Sequence, residues 1–395
     1  MALVETVRVR GYRSARDVEL RLGPVTALVG EARSGKSNLL RALQALLDPH
    51  APPPTRDDLR RRAAVLTVEA RLTDGREIGL EARRSDGVSV SRGGAPPVLF
   101  LSAAGRSGPL LELDGYSDSA EEAVRCFRAA LRDPPERRSD SAGASALAAG
   151  VDSCREAGVT GVVFLVEEPE LFLRPHTQRY LYRRLRELAA AGNQVVYSTH
   201  SPAFLNVARL EELVLVRYSV RRGTHAVQPE PLEADEAFRV VSEFDAERSE
   251  LFLARSAVLV EGRTEKLVLP SIFHALGHDA DRAQVSIVEC GGKSNIPVFA
   301  RICRSCRIPF VVVHDRDAPR GQKPIPQEVE LNRLIAKIAG RDRTIVLEPD
   351  FEGVTGLRGH ANKPERAWKH FSEPGVSVPD SLARAVRLAL RSASR

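Results

Sequence analysis

Apolar and polar residues fall into two patterned blocks along this chain, separated by a stretch with few apolar runs. The first block opens at Glu5-Thr6-Val7-Arg8-Val9, whose alternation predicts a strand with one face exposed. Val25–Val29 is wholly apolar and ends at Gly30, the pattern of a strand buried on both faces. The following GEARSGKSNLLRALQALL spaces Leu and Ala at helical intervals and predicts a helix ending near Asp48-Pro49. After a polar, Pro-rich piece, the segments around Ala64–Leu72 and Gly87–Ser91 read as strands. Residues 102–145 are rich in Ser, Gly, Arg and Asp and carry little periodicity. From Gly161, GVVFLVEEPE predicts a buried strand running into acids, Arg179–Ala191 a helix and Gln194–Ser198 another strand.

The second block begins near Ser256. AVLVEG predicts a strand, TEKLVLPSIFHALG a helix, VSIVECGG a strand, NIPVFARICRSC a helix and PFVVVHDRD a strand. Strands alternating with helices imply an α/β fold with a parallel sheet covered on both faces. The weakly patterned stretch Ser219–Ser249 is the expected junction, so the domains are placed at residues 1–245 and 250–395. A length of 395 residues agrees with two domains. The net charge of +6 permits a polyanionic partner without requiring one. No apolar run reaches membrane-spanning length, and the start lacks the apolar stretch of a signal peptide, so a cytoplasmic location is expected. Five Cys over this length make no disulfide framework. Cys303 and Cys306 form a lone CxxC without the second pair a zinc site needs, and are expected to be core or surface thiols.

Gly30–Ser37 fits GxxxxGK[ST] between a predicted strand and a predicted helix, the setting in which this loop cradles phosphates. Backbone N–H groups freed by the glycines wrap the β-phosphate, Lys36 places a point charge on the β/γ oxygens, and the Ser37 hydroxyl ligates Mg²⁺. Gly30, Ser34, Gly35, Lys36, Ser37 and Asn38 are therefore the expected nucleotide contacts. Val162–Glu168 ends in two acids. Glu167 is expected in the Mg²⁺ shell, and Glu168 is expected to orient or deprotonate the attacking water. His200, after the strand Gln194–Tyr197, stands where it can hydrogen-bond a γ-phosphate.

These residues resemble the ABC-type ATPases of the repair and SMC-like branch: FLVEEPELFLRPH matches Walker B and the D-loop, and VVYSTHSP the His-switch. The resemblance implies ATP sandwiched between two heads, hence a homodimer or higher homo-oligomer. The signature loop of that family is represented here only by Asp140-Ser141-Ala142-Gly143-Ala144, which keeps one Ser and one Gly.

In the second block Glu261 ends a strand, Glu265 starts a helix, and Asp315 and Asp317 end another strand. Acids at the ends of neighbouring parallel strands converge on one edge, where α/β sheets build sites. Mutually repelling carboxylates at close range call for a hard cation, Mg²⁺ or Mn²⁺. The order, a Glu after the first strand and DxD after a later one, resembles the Toprim fold of topoisomerases, primases and some nucleases. ATPase followed directly by Toprim resembles the OLD (overcoming lysogenization defect) family of ATP-dependent nucleases, over Ser256–Phe371 and the motif segments of the first half. The resemblance implies that Glu261, Glu265, Asp315 and Asp317 form one metal group. Glu348 and Glu352, in LEPDFEG, complete a second position, and Lys363, in NKPER, stabilises the transition-state phosphate. Gly291, Gly292 and Lys293 make a turn that either approaches a DNA phosphate or is simply tight.

The implied activity is ATP-gated hydrolysis of DNA phosphodiesters at a two-cation centre, in phage defence or DNA repair. Two other readings stay open. One is an ATPase switch whose Toprim part binds nucleic acid without cutting, or needs an accessory subunit to cut. The other is a strand-passing or priming enzyme, against which stands the absence of a separate nucleophilic-tyrosine or zinc-binding domain.

Overall fold

Where apolar runs are covered on both faces they become the central strands of two separate sheets. The computed structural model describes residues 2–61, 63–84, 87–102, 112–132, 142–171, 173–205, 209–230, 247–317, 325–357 and 362–394. The chain divides into two compact units, Met1–Pro229 and Glu230–Arg395. Among the described residues no helix is long and apolar enough to cross a membrane.

The first unit holds β1 (Val4–Tyr12), β2 (Ala15–Arg21), β3 (Val25–Val29), β4 (Val65–Leu72), β5 (Glu77–Arg83), β6 (Gly87–Ser91), β7 (Val98–Ser102), β8 (Glu112–Tyr116), β9 (Val163–Glu167), β10 (Gln194–Thr199), β11 (Leu213–Ser219) and β12 (Gly223–Val227). They form one sheet in the order β6-β5-β4-β1-β2-β12-β11-β3-β10-β9-β7-β8. Its β11-β3-β10-β9-β7 part is parallel, and the β6-to-β2 wing is antiparallel. β3, β7, β9 and β10 are buried along their whole length, as continuous apolar runs in a parallel sheet should be. In the wing burial alternates, with Leu66, Val68, Ala70 and Leu72 turned inward on β4. The helix α1 (Lys36–Leu47) packs Leu39, Leu40, Leu43 and Leu46 into this core. Its C-cap is Asp48, where the helix was expected to end. The helices α2 (Glu121–Arg132), α3 (Ala142–Glu156), α4 (Pro175–Ala190) and α5 (Pro202–Leu205) follow in chain order.

The structure corrects the sequence reading in three places. Residues 102–145, taken as nearly aperiodic, contain β8 and α2; Ala123, Val124, Phe127 and Ala130 form the buried stripe of α2. β5 and β7 were not anticipated. β12 lies in the stretch read as poor in apolar runs, and is held by pairing with β11 rather than by its own hydrophobicity. Of the signature candidate, Asp140 and Ser141 lie outside the described residues, and α3 begins at Ala142.

The second unit is a four-stranded, all-parallel sheet in the order β14-β13-β15-β16, with β13 (Ser256–Val260), β14 (Val285–Glu289), β15 (Phe310–Asp315) and β16 (Thr344–Leu347). Its helices are α6 (Arg263–Ala275), α7 (Ile296–Ser305), α8 (Pro326–Ala339), α9 (Phe351–Thr355), α10 (Lys363–Ser372) and α11 (Asp380–Ala393). Val258, Val260, Val311 and Val313 meet Val268, Ile272 and Phe273 of α6 and Leu382, Val386 and Ala389 of α11 in one core. The five Cys are buried, Cys303 and Cys306 among them.

Candidate functional site

In the first unit, β3, β9 and β10 are adjacent and parallel, so their C-terminal ends deliver three motifs to one edge of the sheet. The loop after β3 depends on two glycines. A Cβ at Gly30 would lie 2.0 Å from the Val216 carbonyl oxygen, and one at Gly35 would lie 2.1 Å from Thr224 Oγ1. Gly35 also has φ of +107°, a conformation that side chains rarely adopt. Gly35→Ala is expected to cost about 1–3 kcal/mol of stability and to weaken nucleotide binding. Thermal unfolding together with titration of a fluorescent ATP analogue checks both.

Lys36 is 4% exposed. Its Nζ donates to the Gly30 and Glu31 carbonyl oxygens at 2.9 and 3.0 Å and lies 3.1 and 3.2 Å from the ring nitrogens of His200. Burial pulls the Lys36 amine down to about 8, against the opposing charges of Glu168, Glu170 and Glu31. His200 Nε2 is 2.8 Å from Glu168 Oε1. That bond, aided by the Lys36 charge, holds Glu168 below the usual carboxylate range against its burial. Glu168 also has φ of +47°, and its N–H donates to Ser198 Oγ at 3.2 Å. A bulky residue fixed in this sparsely populated region marks strain held in place by its surroundings. Lys36, Glu168 and His200 are thus brought into direct contact.

Glu167 accepts from Ser102 Oγ at 3.2 Å and pairs with Arg41 at 3.4 Å. Arg41 is itself held by Asp114 and by the Phe100 ring, 4.1 Å from its centroid. Asn38, expected to contact nucleotide, donates from its Nδ2 to Ser14 Oγ at 2.6 Å. Ser37 is partly buried at the start of α1. Ser34 Oγ is buried with no hydrogen-bond partner. That orphan hydroxyl and the buried cation of Lys36 fit a site that receives an anionic phosphate chain with its Mg²⁺.

Sequence reasoning missed Glu170. Its Oε1 accepts from the His200 backbone N–H at 2.6 Å and from Thr199 Oγ1 at 2.7 Å, tying the His200 turn to the segment after β9. Burial pushes this carboxyl up. The signal was an acid in EEPE beyond the two already assigned.

In the second unit, β13 and β15 are neighbours with Val260 opposite Val313, so Glu261 and Asp315 emerge side by side. Glu261 Oε2 and Asp315 Oδ1 are buried with no hydrogen-bond partner. Burial, then the neighbouring Asp317 charge, pushes Glu261 up to about 6. Burial, then the charges of Glu265 and Glu261, pushes Asp315 up to about 7. Glu265, buried on the first turn of α6, is also raised by burial. Orphan carboxylate oxygens that repel one another are the kind of donor a hard divalent cation satisfies.

The remaining predicted acids are occupied by basic partners. Glu352 pairs with Lys363 at 2.7 Å, Glu348 with Arg316 at 2.5 Å, and Asp317 with Lys293 at 2.9 Å. Burial opposes the Lys363 charge, but the bond to Glu352 and the fields of Glu265 and Asp315 keep its ammonium above the ordinary lysine range. Among the described residues no three His, Cys, Asp or Glu side chains stand at metal-binding distances from one point. The Lys293 side chain is the second feature the sequence did not disclose: it turns into the acid cluster.

Residues 252–317 match the family described as "Overcoming lysogenization defect protein-like, TOPRIM domain". Residues 132–206 match the family described as "AAA domain, putative AbiEii toxin, Type IV TA system". The OLD nuclease of Thermus scotoductus is 33% identical over 274 residues, covering 64% of this chain and 52% of that protein. The Old nuclease of Escherichia phage P2 is 26% identical over 168 residues, 41% of this chain and 29% of that protein. The chain therefore spans about half of the first relative's length and less of the second's. The SMC head domain from Thermotoga maritima aligns over 58% of this chain and 99% of that one, at 16% identity and a TM-score of 0.39.

Proposed function

We propose that this ATPase–Toprim protein of the OLD family is a divalent-cation-dependent DNA endonuclease gated by ATP, with residues 1–245 as the ATPase domain and 250–395 as the nuclease domain. One observation carries the reading. Glu261 Oε2 and Asp315 Oδ1 are buried and unpartnered at neighbouring strand ends. The same chain bears a phosphate loop whose buried Lys36 touches His200.

In the nuclease part, Glu261, Glu265 and Asp315 would hold cations, and Asp317, Glu348 and Glu352 would join once released from their basic partners. Divalent cations there supply Lewis-acid charge and a water acidic enough to act as nucleophile near neutral pH. Lys363 presents its ammonium to the charge that develops on the scissile phosphate. In the ATPase part, Lys36 would neutralise β/γ-phosphate charge and Glu167 would hold the Mg²⁺ shell. Glu168 orients the attacking water, and His200 links its carboxylate to the γ-phosphate position. Two chains joined across their ATPase domains would complete the nucleotide sites.

A second reading draws on the Lys293, Arg316 and Lys363 pairings. Here the chain is an ATPase switch whose Toprim part binds nucleic acid, and cuts only when a partner or substrate draws those cations away. A supercoiled-plasmid assay with Mg²⁺, Mn²⁺ or chelator, each with and without ATP, separates the two. Metal-dependent nicking or linearisation supports the nuclease, and the ATP lanes give the sign of the coupling. No cutting in any lane, with ATP hydrolysis intact, favours the switch.

A further inference from the structure

The turn after β14 carries the least expected contact in the second unit. Lys293 follows Gly291 and Gly292, at φ of +72° and +124°, and is 6% exposed. Its Nζ lies 2.9 Å from Asp317 Oδ2 and 2.9 Å from Glu328 Oε2 on the first turn of α8. One ammonium therefore ties together the ends of β14 and β15 and the start of α8. Asp317, the acid it grips, has φ of +56°, so its backbone is held where a non-glycine residue rarely rests. The field of Lys293 also reaches Glu261, where it opposes the repulsion from Asp317 and Glu265.

A buried ammonium shared by two carboxylates neutralises one of them in full, and the remainder sets the net charge of the cluster. Here the choice lies with Glu328. While Glu328 offsets Lys293, less of the positive charge of Lys293 falls on Asp317 and Glu261. Without Glu328, the full positive charge of Lys293 would bear on Asp317 and Glu261. A dication entering among those acids is repelled by Lys293 and must compete with it for Asp317.

We propose that Lys293 is a positioning residue that restrains divalent-cation binding at the Toprim acid cluster by holding Asp317, with Glu328 as the counterweight that sets the strength of the restraint. The inference rests on the metal-centre reading above and makes predictions of opposite sign. Lys293→Met removes the competing charge while keeping length and volume, so Mn²⁺ and Mg²⁺ bind on the order of tenfold tighter. Glu328→Gln leaves Lys293 uncompensated, so the same cations bind on the order of tenfold more weakly. Lys293→Arg keeps the charge and stays near the wild-type affinity.

Calorimetric titration of the full chain with Mn²⁺ alone, without nucleic acid or nucleotide, measures all four proteins. The rise in unfolding temperature with added Mn²⁺ gives a second readout independent of cutting. The expected result is tighter binding for Lys293→Met, weaker binding for Glu328→Gln and no large change for Lys293→Arg. Shifts of the same sign in both neutralised variants, or no shift in either, overturn the inference while leaving the metal centre intact. Absence of Mn²⁺ binding by the wild type removes the metal-centre reading and this inference together.

Discussion

Asp315→Ala abolishes metal-dependent cutting and leaves ATP hydrolysis at the wild-type rate. The expected loss is roughly 10²–10³-fold, the scale for removing one preorganised group that stabilises charge in a transition state. Asp315 sits at the end of β15 within the fields of Glu265 and Glu261, with one oxygen buried and unpartnered, so its loss removes a carboxylate from the acid cluster. The nucleotide residues belong to the other compact unit and keep their contacts. A second readout guards against misfolding. In chelator, wild type carries a buried carboxylate that burial and like charges push up to about 7. Its folded state prefers the proton, so the destabilisation grows as pH rises above the ordinary carboxylate range and is complete once pH passes 7. Asp315→Ala removes that cost. Its unfolding temperature without metal should exceed that of wild type above pH 7, by about 2–4 °C for each kcal/mol relieved, and the gain should vanish towards pH 4. Added Mn²⁺ should stabilise wild type and not the variant. Wild-type cutting by a folded Asp315→Ala protein would remove Asp315 from the metal site.

Glu168→Gln retains ATP binding and loses turnover by roughly 10²–10⁴-fold, the range for removing a positioned general base. Glu168 touches His200 at 2.8 Å, and His200 touches Lys36, so the carboxylate is oriented by a chain of contacts that begins in the glycine loop. Gln preserves length and a hydrogen-bonding oxygen but cannot accept a proton. The loop glycines and Lys36 are unchanged, so affinity should stay within a few fold. Single-turnover hydrolysis of labelled ATP, with nucleotide binding measured in parallel, separates the two effects. Rapid turnover by the variant would take Glu168 out of the catalytic role. If two chains close around nucleotide, the variant should also accumulate as an ATP-dependent dimer on size-exclusion chromatography.

The motif-bearing half of each unit was legible in the chain itself. Val25–Val29, Val163–Glu167 and Ser256–Val260 are apolar without interruption because both faces of a parallel strand are covered, and a single chain records that directly. The glycine spacing of the phosphate loop and the acids at strand ends are local facts for the same reason. The antiparallel wing was harder to read. β5 alternates Ile78, Leu80 and Ala82 with Gly and charged residues, and its identity comes from pairing with β4 and β6. α2 has a buried stripe but is flanked by Ser-, Gly- and Arg-rich sequence that hides its period.

The sequence by itself determined where the candidate residues stand: Lys36 in the glycine loop after one strand, and the Glu167-Glu168 pair and the acids Glu261 and Asp315 at strand ends. These follow from residue type, spacing and strand polarity, which are local. Only the tertiary structure decided how those charges are compensated. It set His200 between Lys36 and Glu168, anchored the His200 turn on Glu170, and placed Lys293, distant in sequence from Glu328, onto both Asp317 and Glu328. Charge pairing depends on which side chains share a low-dielectric space, and chain packing alone fixes that distance.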